Sequence, residues 1–499
     1  MGIIKKQTIL GTIYTYIGAG LGVLTNLILL AWFFTPEQIG LLNLLVAYSL
    51  LFAQFANLGF DNVTIRLFPF FRDEKTIHHG FFALMIKVLF LGSLISISFY
   101  LLFFFYLPKN TSDKLFIEFG LYVVPLIFFT LLFNSFDTYS RSLYKSIRGT
   151  FLKEVLQRLI IILAIILYIF LKFDFSIFVF LYVLALCIPS IILYLLLYFE
   201  GNVSFISDSQ YLSLGLKKEI INVSLFGMIT IFSSTIVSNI DKIMIQHYID
   251  VYSTGLYSIA YFFGVIISMP SRALTKISSA VIAEAWKNND TDTIFEIYYK
   301  SCLNQMLFSL LLFVGIWANI DNILLLLPEK YVHIKWVVFW IALGSFIDMS
   351  TGINNTIIAT SPKYKLQSLF MAIFVLIIVV SNIIFIPLYK INGAAFASAL
   401  SLFVFNFIRW IYLWKQYKMQ PFNFKFIIVL AIGLISFLLG ILIPKLNPFY
   451  FDIIVRSLLI AIIYTVLIII LKPSADIDER IKTYYLFIKK IFEKMKSVI

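Results

Sequence analysis

Fourteen separate apolar runs, each about as long as a helix that crosses hydrocarbon, set the terms for this chain. About 20 residues rising 1.5 Å each cover roughly 30 Å. Polar clusters, prolines and charges divide the sequence into such runs at 10–34, 37–60, 80–107, 114–140, 151–172, 175–199, 217–247, 252–286, 295–319, 331–360, 366–389, 391–415, 425–444 and 450–472. The period-two alternation of an outer-membrane barrel is absent, and runs such as Leu159–Leu171 are apolar on every side. The spacing predicts an all-α integral membrane protein. Composition agrees: 61% of the 499 residues are AVILMFWYC and 13% are charged, with mean hydropathy +0.96, more apolar matter than one soluble core absorbs. Lys5 and Lys6 precede the first run, but the run is too long for a signal-peptide core and is expected to stay as a helix.

The charges orient the spans. Cations gather at Lys5 and Lys6; at Arg66, Arg72 and Lys75; at Arg141, Lys145, Arg148 and Lys153; at Lys217 and Lys218; then at Lys287, at Lys363 and Lys365, and at Lys415, Lys418 and Lys425. With fourteen spans all these groups fall on one side, which the positive-inside rule makes cytoplasmic, with both termini. The net charge of +13 is thereby assigned to basic loops, and no nucleic-acid partner is expected. From Asp476 the tail carries apolar residues at helical spacing with lysines elsewhere, which predicts an amphipathic helix on anionic lipid. Cys187 and Cys302 lie inside apolar runs, and His78, His79, His247 and His333 are scattered. No zinc-protease or phosphate-loop motif occurs, so no cofactor, metal or catalytic residue is expected.

A weak self-similarity occurs at an offset of 215. It sets Thr35-Pro36-Glu37-Gln38-Ile39-Gly40-Leu41, between the first two spans, over Tyr252-Ser253-Thr254-Gly255-Leu256-Tyr257, between spans 7 and 8, with Gly40 over Gly255 and Asn26 over Asp241. These turns, with Asn239-Ile240-Asp241-Lys242 and Ala260-Tyr261, and with Asn382-Ile383-Ile384-Phe385-Ile386-Pro387 and Asn392-Gly393-Ala394-Ala395, resemble the polysaccharide-transport flippases of the multidrug/oligosaccharidyl-lipid/polysaccharide superfamily. The resemblance implies two pseudo-symmetric six-helix lobes, 1–205 and 206–420, with spans 13 and 14 attached at 421–473 and a tail at 474–499. It implies a bacterial cytoplasmic-membrane protein that moves undecaprenyl-diphosphate-linked oligosaccharide, such as O-antigen units, by alternating access. Its implied partners are that lipid, the membrane, and polysaccharide polymerase and chain-length machinery.

Charges within the spans name the candidate site. A mid-bilayer charge costs about 2.5–3.5 kcal/mol on insertion scales, so it normally faces protein or a watery cavity. Lys87, Arg272, Lys242, Arg66, Arg141 and Arg409 are candidates for a cationic cavity that receives a diphosphate. Asp241, Asp348 and Asp61 are candidates for ion or proton coupling. Adjacent Asp241 and Lys242 point in different directions on a helix and are not expected to pair. Pro125 and Pro189 are the best kink candidates. Three alternatives stay open: a lipid II-type flippase, a multidrug or cation antiporter of the same architecture, and a membrane glycosyltransferase or polysaccharide polymerase. The basic lean of the charges disfavours the antiporter, and the lack of a loop beyond about 15–20 residues disfavours the enzyme.

Overall fold

The computed structural model describes residues 2–106, 114–206, 211 and 213–474. The amphipathic tail expected from Asp476 onward lies outside the described residues. Among those described, the chain is all-helical, and thirteen helices are long and apolar enough to cross a membrane. Spans 1 to 6 are Leu10–Phe33, Pro36–Ala56, His78–Tyr106, Lys114–Ser142, Ile147–Leu171 and Phe175–Phe199. Spans 7 to 10 are Gly215–Tyr248, Val251–Ser271, Thr291–Ala318 and Glu329–Ser350. Phe424–Ile441 and Phe449–Leu471 are spans 13 and 14.

Spans 11 and 12 form one helical stretch, Lys365–Tyr417, broken at Lys390, whose φ of 53° and ψ of −134° are not helical. The chain doubles back there. Phe385 and Phe396 would lie about 16 Å apart along a straight helix, yet their ring centroids are 4.9 Å apart. Among the described residues, the fourteen expected runs thus correspond to thirteen helical stretches, of which one, Lys365–Tyr417, is a hairpin.

Elsewhere the local geometry departs from the sequence boundaries for identifiable reasons. Span 2 ends at Ala56 because Leu58 and Gly59 take positive φ (50° and 76°), and a separate helix, Phe60–Phe71, follows. Pro125 does not sit mid-helix: it occupies the first turn after a 3₁₀ segment at Gly120–Tyr122, where its missing N–H removes no helical bond. Pro189 does lie inside its helix. Span 1 and the start of span 5 instead contain π-helical segments at Leu24–Leu30 and Leu152–Leu156.

The contacts divide the chain into two compact units: the described residues up to Phe262 with Gln367–Ala397, and Phe263–Leu366 with the described residues from Ser398 onward. In the first, an aromatic core runs through Tyr48, Phe52, Tyr100 and Phe116. Large apolar side chains such as Phe90, Leu91, Leu94 and Phe99 on span 3 are exposed, as hydrocarbon allows and water does not.

The turn before span 2 shows why its residues are what they are. Gln38 N donates to Thr35 Oγ1 at 3.3 Å and Thr35 N to Gln38 Oε1 at 2.9 Å, a reciprocal cap with Pro36 in the first turn. Gly40 follows because nothing larger fits. A Cβ there would overlap the Val251 carbonyl oxygen and lie 3.0 Å from Gly255 N, while a Cβ on Gly255 would overlap the Pro36 carbonyl oxygen and lie 3.0 Å from Gly40 N. The 215-residue offset maps Pro36 onto Val251 and Gly40 onto Gly255, so the two repeated turns touch reciprocally, as partners across a local two-fold axis do. Small residues allow such backbone approach between membrane helices.

Farther along, Glu200 just past span 6 clamps the connection between spans 4 and 5. It pairs with Arg148, and Lys145 Nζ donates to it at 2.8 Å. The Arg148 hydrogen bond first, and Lys145 after it, hold the Glu200 carboxyl down at about 2 from an ordinary 4.5.

Both contacts can be tested. Gly40→Ala and Gly255→Ala should each lower stability by about 1–3 kcal/mol through overpacking, whereas Gly20→Ala, with nothing within 4 Å of the added methyl, should not; thermal unfolding in detergent reads both. Because the folded-state Glu200 is depressed, its stabilisation is present above the unfolded value and fades as pH falls from about 4.5 toward 2. Glu200→Gln should abolish that part of the acid dependence of the unfolding midpoint.

Candidate functional site

Span 7 carries Asp241 and Lys242 side by side, and one helical step of about 100° sends them to different neighbours. Asp241 Oδ2 accepts from the Tyr257 hydroxyl at 2.7 Å and Oδ1 from Asn382 Nδ2 at 2.7 Å, which joins spans 7, 8 and 11. Lys242 Nζ donates to Asn43 Oδ1 of span 2 at 3.2 Å and stands 5.3 Å from the centroid of the Tyr261 ring. One turn on, the Tyr48 hydroxyl donates to Gln246 Oε1 at 2.9 Å. Both charged groups thus sit in a polar node between the spans that the Gly40–Gly255 contact brings together. Asp241 and Asn382 are buried, and charge-bearing oxygen is kept there by donors built into neighbouring helices.

The second unit holds a comparable node. Asn406 Nδ2 donates to Asp348 Oδ1 at 2.9 Å, Asn354 Nδ2 to Asn406 Oδ1 at 3.0 Å, and Arg409 Nη1 to Asn354 Oδ1 at 2.9 Å. Thr351 Oγ1 adds a bond to Asn406 Oδ1 at 2.9 Å. Arg409 is 6% exposed, and its guanidinium carbon lies 3.6 Å from the centroid of the Phe405 ring. Two asparagines therefore connect an acid on span 10 to an arginine on span 12, a link invisible when the charges are read one at a time.

The other candidates are dispersed. Asp61 is buried and accepts from Asn57 Nδ2 at 2.9 Å, while the same amide group lies 3.0 Å from Ser135 Oγ. Arg141 is more than half exposed and pairs with Asp137 four residues before it. Arg66 is exposed on the helix Phe60–Phe71. Lys87 is exposed on span 3, on the face that also presents Phe90, Leu91 and Leu94. The side chain of Arg272 lies outside the described residues.

Two charged groupings escaped the sequence reading. Glu154 and Arg158 of span 5 pair at 2.9 Å and, with Lys153, line a chamber within the first unit. Asp452 and Arg456 of span 14, 1% and 6% exposed at their side chains, pair at 2.9 Å, and Arg456 also bonds the Gly440 and Ile443 carbonyls. The signal that finds both is an acid four residues before an arginine, the favourable order on a helix.

Tyr257→Phe and Asn382→Leu should each destabilise the protein by about 1–3 kcal/mol by leaving a buried carboxylate oxygen without its donor. Because the two share one carboxylate, the double variant should depart from additivity, as thermal unfolding of the four proteins would record.

A family model described as "Polysaccharide biosynthesis protein" matches residues 4–282. No curated protein is significantly similar in sequence. Among solved structures, a lipid II flippase MurJ in an inward closed conformation is 15% identical, with TM-score 0.73 over 93% of this chain and 98% of that one. An inward-facing multidrug resistance MATE family transporter of the MOP superfamily is 12% identical, with TM-score 0.53 over 82% and 94%. An outward-facing conformation of a multidrug resistance MATE family transporter is 13% identical, with TM-score 0.54 over 83% and 96%. At these identities the likeness establishes the fold alone, which this chain shares with those transporters.

Proposed function

Because the chain belongs to the polysaccharide biosynthesis protein family, we propose that it is a flippase that carries undecaprenyl-diphosphate-linked oligosaccharide across the bacterial cytoplasmic membrane by alternating access. Both termini and the basic loops face the cytoplasm. Spans 1–6 (1–205) and 7–12 (206–420) act as the two lobes, with 421–473 and the tail 474–499 attached to them. The lipid tail stays in hydrocarbon while the diphosphate and sugars enter a cation-lined path.

The observation that carries this reading is the reciprocal contact of the two repeated turns through Gly40 and Gly255. It lies at the end of the spans opposite the basic loops, hence on the outer side. A head group released outward must part that contact, and two equivalent turns meeting at glycine can part and re-form without repacking side chains. The node beside it, Asp241 and Lys242 with Tyr257, Asn382 and Asn43, supplies charges on span 7 whose partners lie on three other spans, so their surroundings change whenever those spans move. Asp241, Asp348 and Asp61 are the proposed coupling carboxylates. Lys242, Arg272 and Arg66 are the proposed phosphate-facing cations, with Arg409 acting through the network that reaches Asp348; Lys87, on its exposed apolar face, and Arg141, paired with Asp137, are left out of that path. No ATP-binding motif occurs in the sequence, so an ion gradient, the membrane potential or removal of the product drives the cycle.

Cells without the chain should accumulate oligosaccharide on the polyprenyl carrier inside spheroplasts, shielded from added glycosidase, and should lose the matching surface polymer. Accumulation of the peptidoglycan precursor instead would move the assignment to a lipid II-type flippase. Unchanged surface polymer with new sensitivity to cationic dyes would move it to an antiporter.

A further inference from the structure

Within the first unit, spans 1, 2, 4, 5 and 6 line a half-open chamber of about 250 Å³. It lies within the spans: Lys153, on its wall, is about 9 Å from the first residue of span 5 at 1.5 Å per residue, and Ile161 of the same wall is about 12 Å farther along. Two of its walls are the π-helical segments Leu24–Leu30 and Leu152–Leu156, which contribute Asn26 and Lys153 among others. Such segments are rare and concentrate at functional sites.

The chamber carries excess positive charge. Glu154 and Arg158 neutralise each other at 2.9 Å, and the pair is seated on span 1 where Gly18 and Gly22 leave room; a Cβ on Gly18 would press on Glu154 and one on Gly22 would overlap the Arg158 guanidinium. Lys153 is different. Its ammonium stands 5.5 Å from the centroid of the Phe133 ring and makes no hydrogen bond or ion pair among the described residues. The nearby carboxylates are already engaged, Glu154 by Arg158 and Asp137 by Arg141. Lys153 is enclosed by protein yet accessible, because what it reaches is the chamber. Around it, the side-chain amides of Asn134 and Gln157 and the hydroxyl of Tyr182 line the same space and also lack protein hydrogen-bond partners among the described residues.

An ammonium with no hydrogen-bonded or ion-paired carboxylate within the spans, facing uncommitted donors on the same chamber wall, is the chemistry of an anion site. We infer that this chamber binds an oxyanion, a phosphate or carboxylate group, with Lys153 as its charge and Asn134, Gln157 and Tyr182 as donors. The volume, worth about eight waters at roughly 30 Å³ each, admits such a group with part of its hydration. The inference is independent of which lipid-linked glycan the protein moves.

The test uses the purified full chain in detergent at constant ionic strength, with sodium phosphate replacing sodium chloride. Phosphate should raise the unfolding midpoint saturably. Lys153→Gln should weaken that effect about ten- to hundredfold in phosphate concentration, as expected for loss of one charge-assisted bond, whereas Lys445→Gln, on an exposed loop, should leave it intact. A second readout does not depend on the stability of the lysine variant: Gln157→Cys should react faster with an anionic than with a cationic methanethiosulfonate, and phosphate should slow the reaction, against a background in which Cys187 and Cys302 are buried. Farnesyl diphosphate acting at lower concentration than phosphate would identify the ligand as a group carried on lipid. Phosphate acting alone would identify a free anion, and either result upholds the site. A native protein without a saturable phosphate effect, an effect unchanged in Lys153→Gln, or a Gln157→Cys variant whose introduced thiol reacts faster with the cationic reagent would overturn it.

Discussion

Hydrocarbon offers no hydrogen bonds, so every polar group placed inside the bilayer must find its partner within the protein. For the backbone the answer is the helix, and the fold follows from repeating it fourteen times. For side chains the answer must be built one contact at a time. Asp241 meets Tyr257 and Asn382, Asp348 meets Asn406, Arg409 meets Asn354, and in each case the partner comes from a different span or from the turn beside it. These bonds fix which helices are neighbours as well as keeping charge in the membrane. Between apolar helices in apolar solvent there is little hydrophobic preference for one neighbour over another, so the polar nodes and the close glycine contacts do the selecting.

The same constraint separates two kinds of intramembrane cation that look alike in sequence. Arg456 is spent locally, on Asp452 four residues before it and on the carbonyls of Gly440 and Ile443, and has little left to offer a ligand. Arg409 shares its bond with an asparagine that is itself bound to the Asp348 network, so a change at either end is felt at the other. Lys153 has neither arrangement and opens onto a chamber. A net excess of positive charge therefore says little about a cation-lined path until each cation's own partners are known.

Much of the architecture is legible in the chain alone. Most apolar runs locate their spans to within a few residues, because length and hydropathy are what the bilayer constrains; the tenth, expected over 331–360, ends at Ser350 and is followed by a separate helix, Asn354–Thr360. The offset of 215 pairs Gly40 with Gly255, and the two are in contact; the motif Thr35-Pro36-Glu37-Gln38 is a helix cap, so its likeness to a family signature rests on a physical requirement. What escapes is geometry with no composition of its own. The π segments at Leu24–Leu30 and Leu152–Leu156 look like ordinary helix in sequence, and Pro125, a kink candidate by its position in an apolar run, sits where it disturbs nothing. The break at Lys390 is carried by a residue that rarely takes positive φ.

The candidate site is legible only in part, and for a related reason. Read singly, charges are costs at a given depth, whereas their roles are set by pairs. Three arginines, Arg141, Arg158 and Arg456, each follow an acid by four residues, the spacing that lets a helix neutralise its own charge. Removing such self-paired groups from consideration leaves few charges that must look elsewhere for a partner. Lys153 then stands out. It directly precedes Glu154, which is committed to Arg158, and it lies twelve residues beyond Arg141, which takes up Asp137. Sequence spacing alone thus accounts for both nearby carboxylates and leaves the lysine over, and the chamber is where the fold puts the remainder.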